Sequence, residues 1–307
     1  MAGPAQRATF RFAPSPNGEL HLGHALSALT NAAMAQRLGG RFLVRIEDID
    51  PARSRPEFVA GIFEDLAWLG LAWEEPVLRQ SEHMADYAAA ADRLAAMGLL
   101  YPCFATRAEI AAAATAGPTD PDGAPLYPGL HRNLDRSEAA RRLAAGESAA
   151  MRLDMAKALV RAKAILGGRP LTFTELGSDM QPQQVTADPA RWGDVVIQRK
   201  EVPTSYHLSV VIDDARQGVT HVVRGRDLRP ATDLHRLLQI LLGLPAPIYH
   251  HHRLLTDETG RKLAKSARDR SLRELRAGGV AADDVKRRLA RWLPPVHKLQ
   301  QHFHASG

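Results

Sequence analysis

The N-terminal part of the chain alternates between short apolar stretches and one longer amphipathic stretch. Residues 9–12 are β-prone, and the turn-forming sequence PSPNG follows them. Apolar side chains then recur at helical spacing over 22–33, until a pair of glycines interrupts the pattern. The sequence RFLVRI is a second predicted strand. Residues 9–46 thus predict a β-α-β unit, which favours a parallel sheet with ligands at the carboxyl ends of its strands.

The rest of the chain divides into an irregular middle part and a second regular part. Residues 56–70 and 83–98 are predicted amphipathic helices. From 101 to 191 the periodicity weakens around an Ala/Arg-rich helix near 136–145, and this stretch is predicted to be an insertion. Regular patterns return after it, and we expect them to complete the sheet. They are DVVIQR, YHLSVVIDD, THVVRG, the helix ATDLHRLLQILLG ended by Gly243, and the strand PIYHHH.

These patterns predict an α/β fold. We expect a Rossmann-like parallel-sheet domain with an inserted α+β subdomain and a short helical tail. The 307 residues fit roughly two domains. The predicted units are 1–100 and 192–256 for the two halves of the sheet domain, 101–191 for the insertion, and 257–307 for a basic loop and tail.

Composition narrows the class of protein. Apolar residues make up 45% and charged residues 24%, as in globular proteins. No apolar run approaches the roughly 18 residues of a membrane span, and the N-terminus lacks the apolar run of a signal peptide. The one cysteine, Cys103, excludes an intramolecular disulfide and fits a reducing compartment. We therefore expect a cytoplasmic protein with no membrane contact.

Positive charge is concentrated at the C-terminal end. The net charge is +6, but residues 261–307 hold twelve Lys or Arg and four Asp or Glu, a net +8. The first 260 residues are therefore slightly acidic. A basic tail on an acidic body favours a polyanionic partner, although a solvated helix face would explain the charge equally well.

The stretch NGELHLGHALSAL sets His21 and His24 three residues apart at the start of a predicted helix. A metal site is disfavoured because no Cys or Glu stands at zinc-like spacing and HLGH is not HExxH. A phosphate site explains more, because a helix N-terminus offers N–H groups and histidines can donate hydrogen bonds. Gly23 lets a base or ribose approach the backbone. Ordinary surface histidines remain the alternative when the stretch is taken alone.

A second cationic stretch, DETGRKLAKSARDR, holds Lys262, Lys265 and Ser266 after a glycine. Two lysines flanking small residues could clamp phosphates and neutralise charge as pyrophosphate leaves. Basic loops are common, so this stretch is informative only together with HLGH in the same α/β sheet.

With both motifs, the chain resembles the class I aminoacyl-tRNA synthetases. HLGH is similar to their first signature, HIGH, and KLAKS to their second, KMSKS. The stretches RFAPSPNGELHLGH, RFLVRIEDIDPARS, YHLSVVIDDARQGVTHVVRGRDL and HHRLLTDETGRKLAKS look like the glutamyl branch, from about residue 9 to 270. The resemblance makes the triple histidine at 250–252 part of the family pattern.

The resemblance implies the roles of the site residues. Arginine is suited to a glutamate carboxylate because its planar fork is always charged. Glu47 would pair with the α-ammonium group, and Tyr206 would offer its hydroxyl. The implied glutamate-binding residues are Arg11, Phe12, Ala13, Pro14, Ser15, Glu47, Tyr206 and Arg224. The implied ATP-binding residues are Pro14, His21, Gly23, His24, Lys262, Lys265 and Ser266. The implied catalytic residues are His21, His24 and Lys265.

The resemblance also implies the reaction and its partners. ATP with Mg²⁺ on its phosphates would activate L-glutamate, which would then be transferred to a tRNA. Only about forty residues follow KLAKS, which is too short for an anticodon-binding domain. This length resembles the short members of the branch, which attach glutamate to the queuosine base of tRNA(Asp). We expect a monomer, and we expect Asp213, Asp214 and Asp227 to organise strand ends without binding metal.

The insertion departs from the family pattern at a zinc site. The short members often carry Cys-x-Cys followed by Tyr-x-x-x-Cys, where this chain has Cys103-Phe-Ala105 and Tyr127 to His131. One thiolate, one phenol and one imidazole are a poor set for structural zinc, which takes four firm ligands. We therefore expect no tightly bound zinc.

Three other functions remain open from the sequence. The chain could be an unusual glutamyl-tRNA synthetase charging tRNA(Glu), which differs only in the tRNA that accepts glutamate. It could be a nucleotidylyltransferase with an HxGH helix start and no tRNA, but the RIED and VVRGRDL stretches and the basic tail argue against this. The two intact motifs argue against a non-catalytic RNA-binding paralogue.

Overall fold

The computed structural model describes residues 7–114, 117–256 and 270–299. Within them the chain alternates strands and helices in the order that the apolar pattern predicts. The strands are β1 (Thr9–Phe12), β2 (Arg41–Ile46), β3 (Glu74–Arg79), β4 (Leu100–Cys103), β5 (Ala150–Leu153), β6 (Thr172–Leu176), β7 (Pro182–Thr186), β8 (Val196–Gln198), β9 (His221–Gly225) and β10 (Ile248–His252). The helices are α1 (Leu22–Arg37), α2 (Pro56–Trp68), α3 (Met84–Ala96), α4 (Arg107–Ala113), α5 (Arg136–Ala144), α6 (Met155–Ile165), α7 (Tyr206–Arg216), α8 (Ala231–Leu242), α9 (Leu272–Ala277) and α10 (Ala282–Leu289).

Seven strands form the main sheet, in the order β3-β2-β1-β9-β10-β6-β7. All neighbours are parallel except the β6–β7 hairpin. The predicted α/β fold is therefore confirmed, including the β1-α1-β2 unit and the strands β9 and β10. Because β1, β2 and β9 run side by side in one direction, the residues that follow them meet at one sheet edge.

The middle of the chain differs from its predicted description in two respects. Strands β6 and β7 lie within the predicted insertion, yet they pair beyond β10 and extend the main sheet. The stretch DVVIQR, expected in the main sheet, instead supplies β8 of a separate three-stranded antiparallel sheet, β4-β5-β8. The main sheet thus does not follow the predicted boundaries at 101 and 191. Periodicity identifies a strand but not the sheet it joins, which long-range pairing decides.

Two large apolar cores hold the described elements together. Helix α1 packs its buried face, with Leu26 and Met34, on the main sheet and on the C-terminal helices. A second core joins α3, α6, α7 and α8. Gly243 ends α8 with φ +66°, the left-handed conformation that glycine adopts without strain. In the described ranges no helix is long and apolar enough to cross a bilayer.

Candidate functional site

The two histidines of HLGH cap helix α1. His21 is the N-cap residue, and its Nδ1 accepts a hydrogen bond from the amide of Gly23 at 3.0 Å. His24 Nδ1 accepts from the amide of His21 at 3.2 Å, so the pair forms a capping box made of imidazoles. The rings are tilted by 31° with centroids 3.9 Å apart. Because each Nδ1 is an acceptor, each neutral ring carries its proton on Nε2 and can donate it to an anion.

Gly23 and Pro14 fix the shape of this turn. A Cβ on Gly23 would come within 2.9 Å of His21 Cε1, so any larger residue would displace the capping ring. The amide of Glu47 donates to the carbonyl of Pro14 at 3.0 Å, which ties the turn after β1 to the end of β2. The stretches RFAPSPNGELHLGH and RFLVRIEDIDPARS are therefore joined at one sheet edge.

A buried ionic cluster lies beneath that edge. Arg11 Nε donates to Asp214 Oδ1 at 3.0 Å, and Arg45 Nη1 donates to the same oxygen at 2.8 Å. Arg45 Nη2 also lies 3.3 Å from Glu47 Oε1, and its Nε lies 3.9 Å from Asp213. Arg45 is completely buried. Asp213 and Asp214 thus organise the strand ends, as predicted, while Arg45 was not identified from its apolar strand.

Charges within the cluster decide which groups are ionised. Burial would raise the pKa of Asp214, but Arg11 and Arg45 lower it below the usual range, so Asp214 is a carboxylate. Burial raises the pKa of Glu47 despite the attraction of Arg45 and Arg11. Burial likewise raises the pKa of Asp213. A bound ammonium group would therefore stabilise the ionised form of Glu47.

Arg224, at the end of β9, lies in a different environment from Arg11. It is 5% exposed. Its Nη1 donates to Tyr206 Oη and to His235 Nδ1, both at 3.2 Å, and its Nη2 donates to Thr232 Oγ1 at 2.8 Å. Within the described ranges, no carboxylate lies within 4.0 Å of this guanidinium, and its Nε has no partner. A buried charge with only neutral partners is expensive unless an anion completes it.

A chain of hydrogen bonds extends from Arg224 across the sheet. Thr232 Oγ1 lies 3.1 Å from His251 Nε2, and His251 Nδ1 lies 2.6 Å from Glu175 Oε1. Arg229 completes the chain by pairing with Glu175 at 3.0 Å. Burial would raise the pKa of Glu175, but hydrogen bonds from His251 and Arg229 lower it to about 2. Thr232 can therefore accept from Arg224 while donating to a neutral His251.

Two more histidines hold Arg224 from the helix side. His235 accepts from Arg224 at Nδ1, so its Nε2 donates to His207 Nδ1 at 3.2 Å. Burial and the charge of Arg224 lower the pKa of His207 to about 4 and that of His235 well below its usual range. Both rings are neutral near pH 7, so the positive charge at this end of the site belongs to Arg224.

The predicted glutamate-binding residues converge only in part. Burial raises the pKa of Tyr206, and the charges of Arg224, Glu47 and Arg11 all act on it, so these four groups lie near one another. Phe12 is packed in the core and offers a ligand only its backbone. Ala13 and Pro14 are half-buried and buried, and Ser15 is exposed. Lys262, Lys265 and Ser266 lie outside the described residues, so their roles remain predictions.

The zinc-like stretch of the insertion forms a small core. Cys103, Ala105 and Tyr127 are buried together with Tyr101. The Cys103 thiol donates to Tyr127 Oη at 3.3 Å, and the His131 amide donates to the same oxygen at 2.9 Å. In the part of the chain that the structure describes, no three His, Cys, Asp or Glu side chains are grouped as metal ligands. The expectation of no tight zinc stays a prediction.

The fold and the edge site define a class I synthetase, and comparison with known proteins agrees. Residues 8–307 match the family model of class I tRNA synthetases (E and Q), catalytic domain. The chain belongs to this family of ligases. It is 45% identical over 287 residues to the Glutamyl-Q tRNA(Asp) synthetase of Rhodobacter capsulatus, covering 90% of this chain and 98% of that protein. A second Glutamyl-Q tRNA(Asp) synthetase, from Symbiobacterium thermophilum, is 40% identical over 91% of this chain and 84% of its own length.

Solved structures show the same fold in longer proteins. The glutamate-tRNA synthetase of Elizabethkingia anophelis superimposes with a TM-score of 0.68 at 27% identity, over 85% of this chain and 53% of that one. The glutamate tRNA ligase of Elizabethkingia meningosepticum, solved in complex with its amino acid, also superimposes with a TM-score of 0.68. It is 28% identical, and the match covers 52% of its length. The chain thus spans about half the length of these two structures.

Proposed function

We propose that this protein activates L-glutamate with ATP and transfers it to the queuosine base of tRNA(Asp). The observation that carries the proposal is the environment of Arg224, which lies near Glu47 but has no described acidic partner within 4.0 Å. Arg224 is a buried cation whose described partners are all neutral, and Glu47 is a buried acid with a raised pKa. The side-chain carboxylate of glutamate would form an ion pair with Arg224, and its ammonium group would form an ion pair with Glu47.

The chemistry follows from this orientation. With both ends of the amino acid held, its α-carboxylate is left toward the N-terminus of α1, where the imidazole Nε2–H groups of His21 and His24 can donate to phosphate oxygens. A carboxylate oxygen attacks the α-phosphorus of ATP, the bond to the bridging oxygen breaks, and pyrophosphate leaves. Mg²⁺ would accompany the phosphates. A hydroxyl of the queuosine cyclopentenediol then attacks the activated carbonyl, forming an ester and releasing AMP.

Similarity to known proteins favours this function over the charging of tRNA(Glu). The chain covers 98% of the Glutamyl-Q tRNA(Asp) synthetase of Rhodobacter capsulatus, whereas it covers only 56% of the Glutamate--tRNA ligase 2 of Methylobacterium sp., which is 43% identical.

Lys265 is proposed to neutralise the leaving pyrophosphate. Its replacement by alanine should slow activation by about two to three powers of ten.

The test has two parts. Glutamate-dependent exchange of pyrophosphate into ATP should occur without added tRNA, and mass spectrometry of glutamylated tRNA should find the label in the anticodon loop. Exchange that needs tRNA, together with label on the 3′ end, would identify a glutamyl-tRNA synthetase instead. Exchange without glutamate dependence would contradict amino-acid activation altogether.

A further inference from the structure

The C-terminal segment combines an excess of cations with a cavity beside the start of α1. Residues 270–299 carry eight Lys or Arg and three Asp or Glu. A cavity of about 350 Å³ is lined by Arg288, Arg291 and Trp292 on one side and by Leu22 and Leu255 on the other. Its volume falls at the lower end of the range for ligand pockets, about 300–1,000 Å³. Leu22 stands between His21 and Gly23, so the cavity adjoins the proposed adenylate site.

Seven cations in or next to this segment fall into two groups. Arg273 and Arg276 are paired with acids of the catalytic domain, and Lys286 and Arg287 with Asp283 and Asp284. By contrast, Arg253, Arg288 and Arg291 have no carboxylate within 4.0 Å among residues 7–114, 117–256 and 270–299. All three are exposed. We call these three residues and Trp292 the arginine patch.

Trp292 organises the patch. The guanidinium carbon of Arg253 lies 5.1 Å from the centroid of the Trp292 ring, and that of Arg291 lies 5.6 Å from it. Both distances are within the reach of cation–π attraction. Two flexible side chains from distant parts of the sequence are thus held on one aromatic ring, which reduces the entropy lost when they bind an anion.

We propose that the arginine patch binds the sugar-phosphate backbone of the tRNA next to the adenylate site. The inference rests on the proposed function, because it needs a polyanion that approaches the start of α1. Exposed arginines without acidic partners are suited to phosphodiesters, since they lose only water and counterions on binding. ATP would bind on the other side of Leu22, at the imidazoles.

The test compares two double variants of the full chain. Arg288→Ala with Arg291→Ala should weaken binding of unfractionated tRNA at least tenfold at low salt. It should also lower the slope of log affinity against log salt by about 1.4–1.8, since each of the two phosphate contacts contributes roughly 0.7–0.9. Exchange of pyrophosphate without tRNA should stay within twofold, which shows that the variant is folded.

The matched control is Arg107→Ala with Arg136→Ala. These exposed arginines are the first residues of α4 and α5 and have no carboxylate within 4.0 Å in the described ranges, so the same charge is removed elsewhere. The control should leave both affinity and salt slope unchanged. Trp292→Phe should retain most of the affinity, and Trp292→Leu should lose several-fold.

Three outcomes would overturn the proposal. The first is an unchanged tRNA affinity and salt slope in the variant of Arg288 and Arg291. The second is an equal loss of tRNA affinity in the control variant of Arg107 and Arg136. A rise in the KM of ATP larger than the loss of tRNA affinity would assign the patch to nucleotide phosphates. Loss of glutamate-dependent exchange in the unmodified protein would instead contradict the proposed function, and the tRNA-binding comparison would still stand on its own.

Discussion

At the residue scale, Arg11 and Arg224 show why two buried arginines at neighbouring strand ends are not equivalent. Arg11 is neutralised by Asp214 at 3.0 Å, whereas the described partners of Arg224 are a phenol, an imidazole and a hydroxyl. A substrate carboxylate gains more from the uncompensated charge. Arg224 is therefore our choice for the residue that separates glutamate from glutamine, which has nearly the same size.

Arg224→Leu should remove glutamate activation while sparing ATP binding. Breaking a buried charged pair from one side costs about 3–5 kcal/mol, which corresponds to a hundredfold or more in selectivity. Steady-state exchange kinetics with glutamate and with glutamine would measure this ratio. Arg224→Lys keeps the positive charge but not the planar fork, so its selectivity for glutamate over glutamine should lie between those of the unmodified protein and the leucine variant. An unchanged ratio in the leucine variant would leave Arg11 as the specificity residue.

Glu47 predicts a pH dependence of glutamate binding. Burial raises the pKa of Glu47, so on acidification it becomes neutral at a higher pH than an ordinary glutamate, whose pKa is about 4.3. Neutral Glu47 cannot pair with an ammonium group, so the KM of glutamate should rise as the pH falls. Glu47→Gln should have a high KM that no longer changes over this range. A parallel profile in the two proteins would exclude Glu47 as the ammonium partner.

At the element scale, the proposed glutamate-binding site depends on a strand outside the two predicted halves of the sheet domain. Glu175 lies on β6, next to β10 in the sheet, and reaches Arg224 through His251 and Thr232. The chain of hydrogen bonds orients the hydroxyl of Thr232, which accepts from Arg224 Nη2. The orientation of the guanidinium fork thus depends on a residue that does not touch it.

Glu175→Gln should raise the KM of glutamate several-fold and leave the KM of ATP unchanged. The amide cannot hold both His251 and Arg229 as the carboxylate does, so Arg224 loses its fixed orientation. Glu138→Gln, which breaks an exposed pair with Arg141, is the control and should have no effect. If Glu175→Gln changed only thermal stability, with the KM of glutamate unaltered, the residue would have a purely structural role.

The packing around Cys103, in the three-stranded sheet, leads to a prediction about zinc content. Cys103 is 1% exposed and its thiol donates to Tyr127, so the neighbourhood is packed as a small core. Purified protein should contain well under one zinc per chain by elemental analysis. Chelation should leave exchange activity intact, and Cys103→Ser should cost stability through a buried hydroxyl rather than through lost metal. Near one equivalent of zinc, absent in Cys103→Ala, would reverse this expectation.

At the scale of the whole molecule, local pattern and long-range pairing contribute differently to what can be predicted. The turn, cap and helix around His21 are encoded within twenty residues, and so the β1-α1-β2 unit was predictable. The proposed roles of Arg224 and Glu47 come from the resemblance to a family. The sequence does not single out Arg45 and His251 as site residues, because Asp214 and Glu175, the acids that they contact, are more than seventy residues away in sequence. The place of β6 in the sheet has the same cause.

The strand order has a consequence for how the chain folds. Phe10 of β1 is in register with His221 of β9, so the centre of the sheet joins residues about two hundred positions apart. Non-local pairing slows folding, because the entropy of closing a long loop is lost before the stabilising contacts form. A ribosome-bound chain ending before β9 should therefore remain sensitive to protease, and resistance should appear only once β10 has emerged. Early protection of the first hundred residues would show that this half folds by itself.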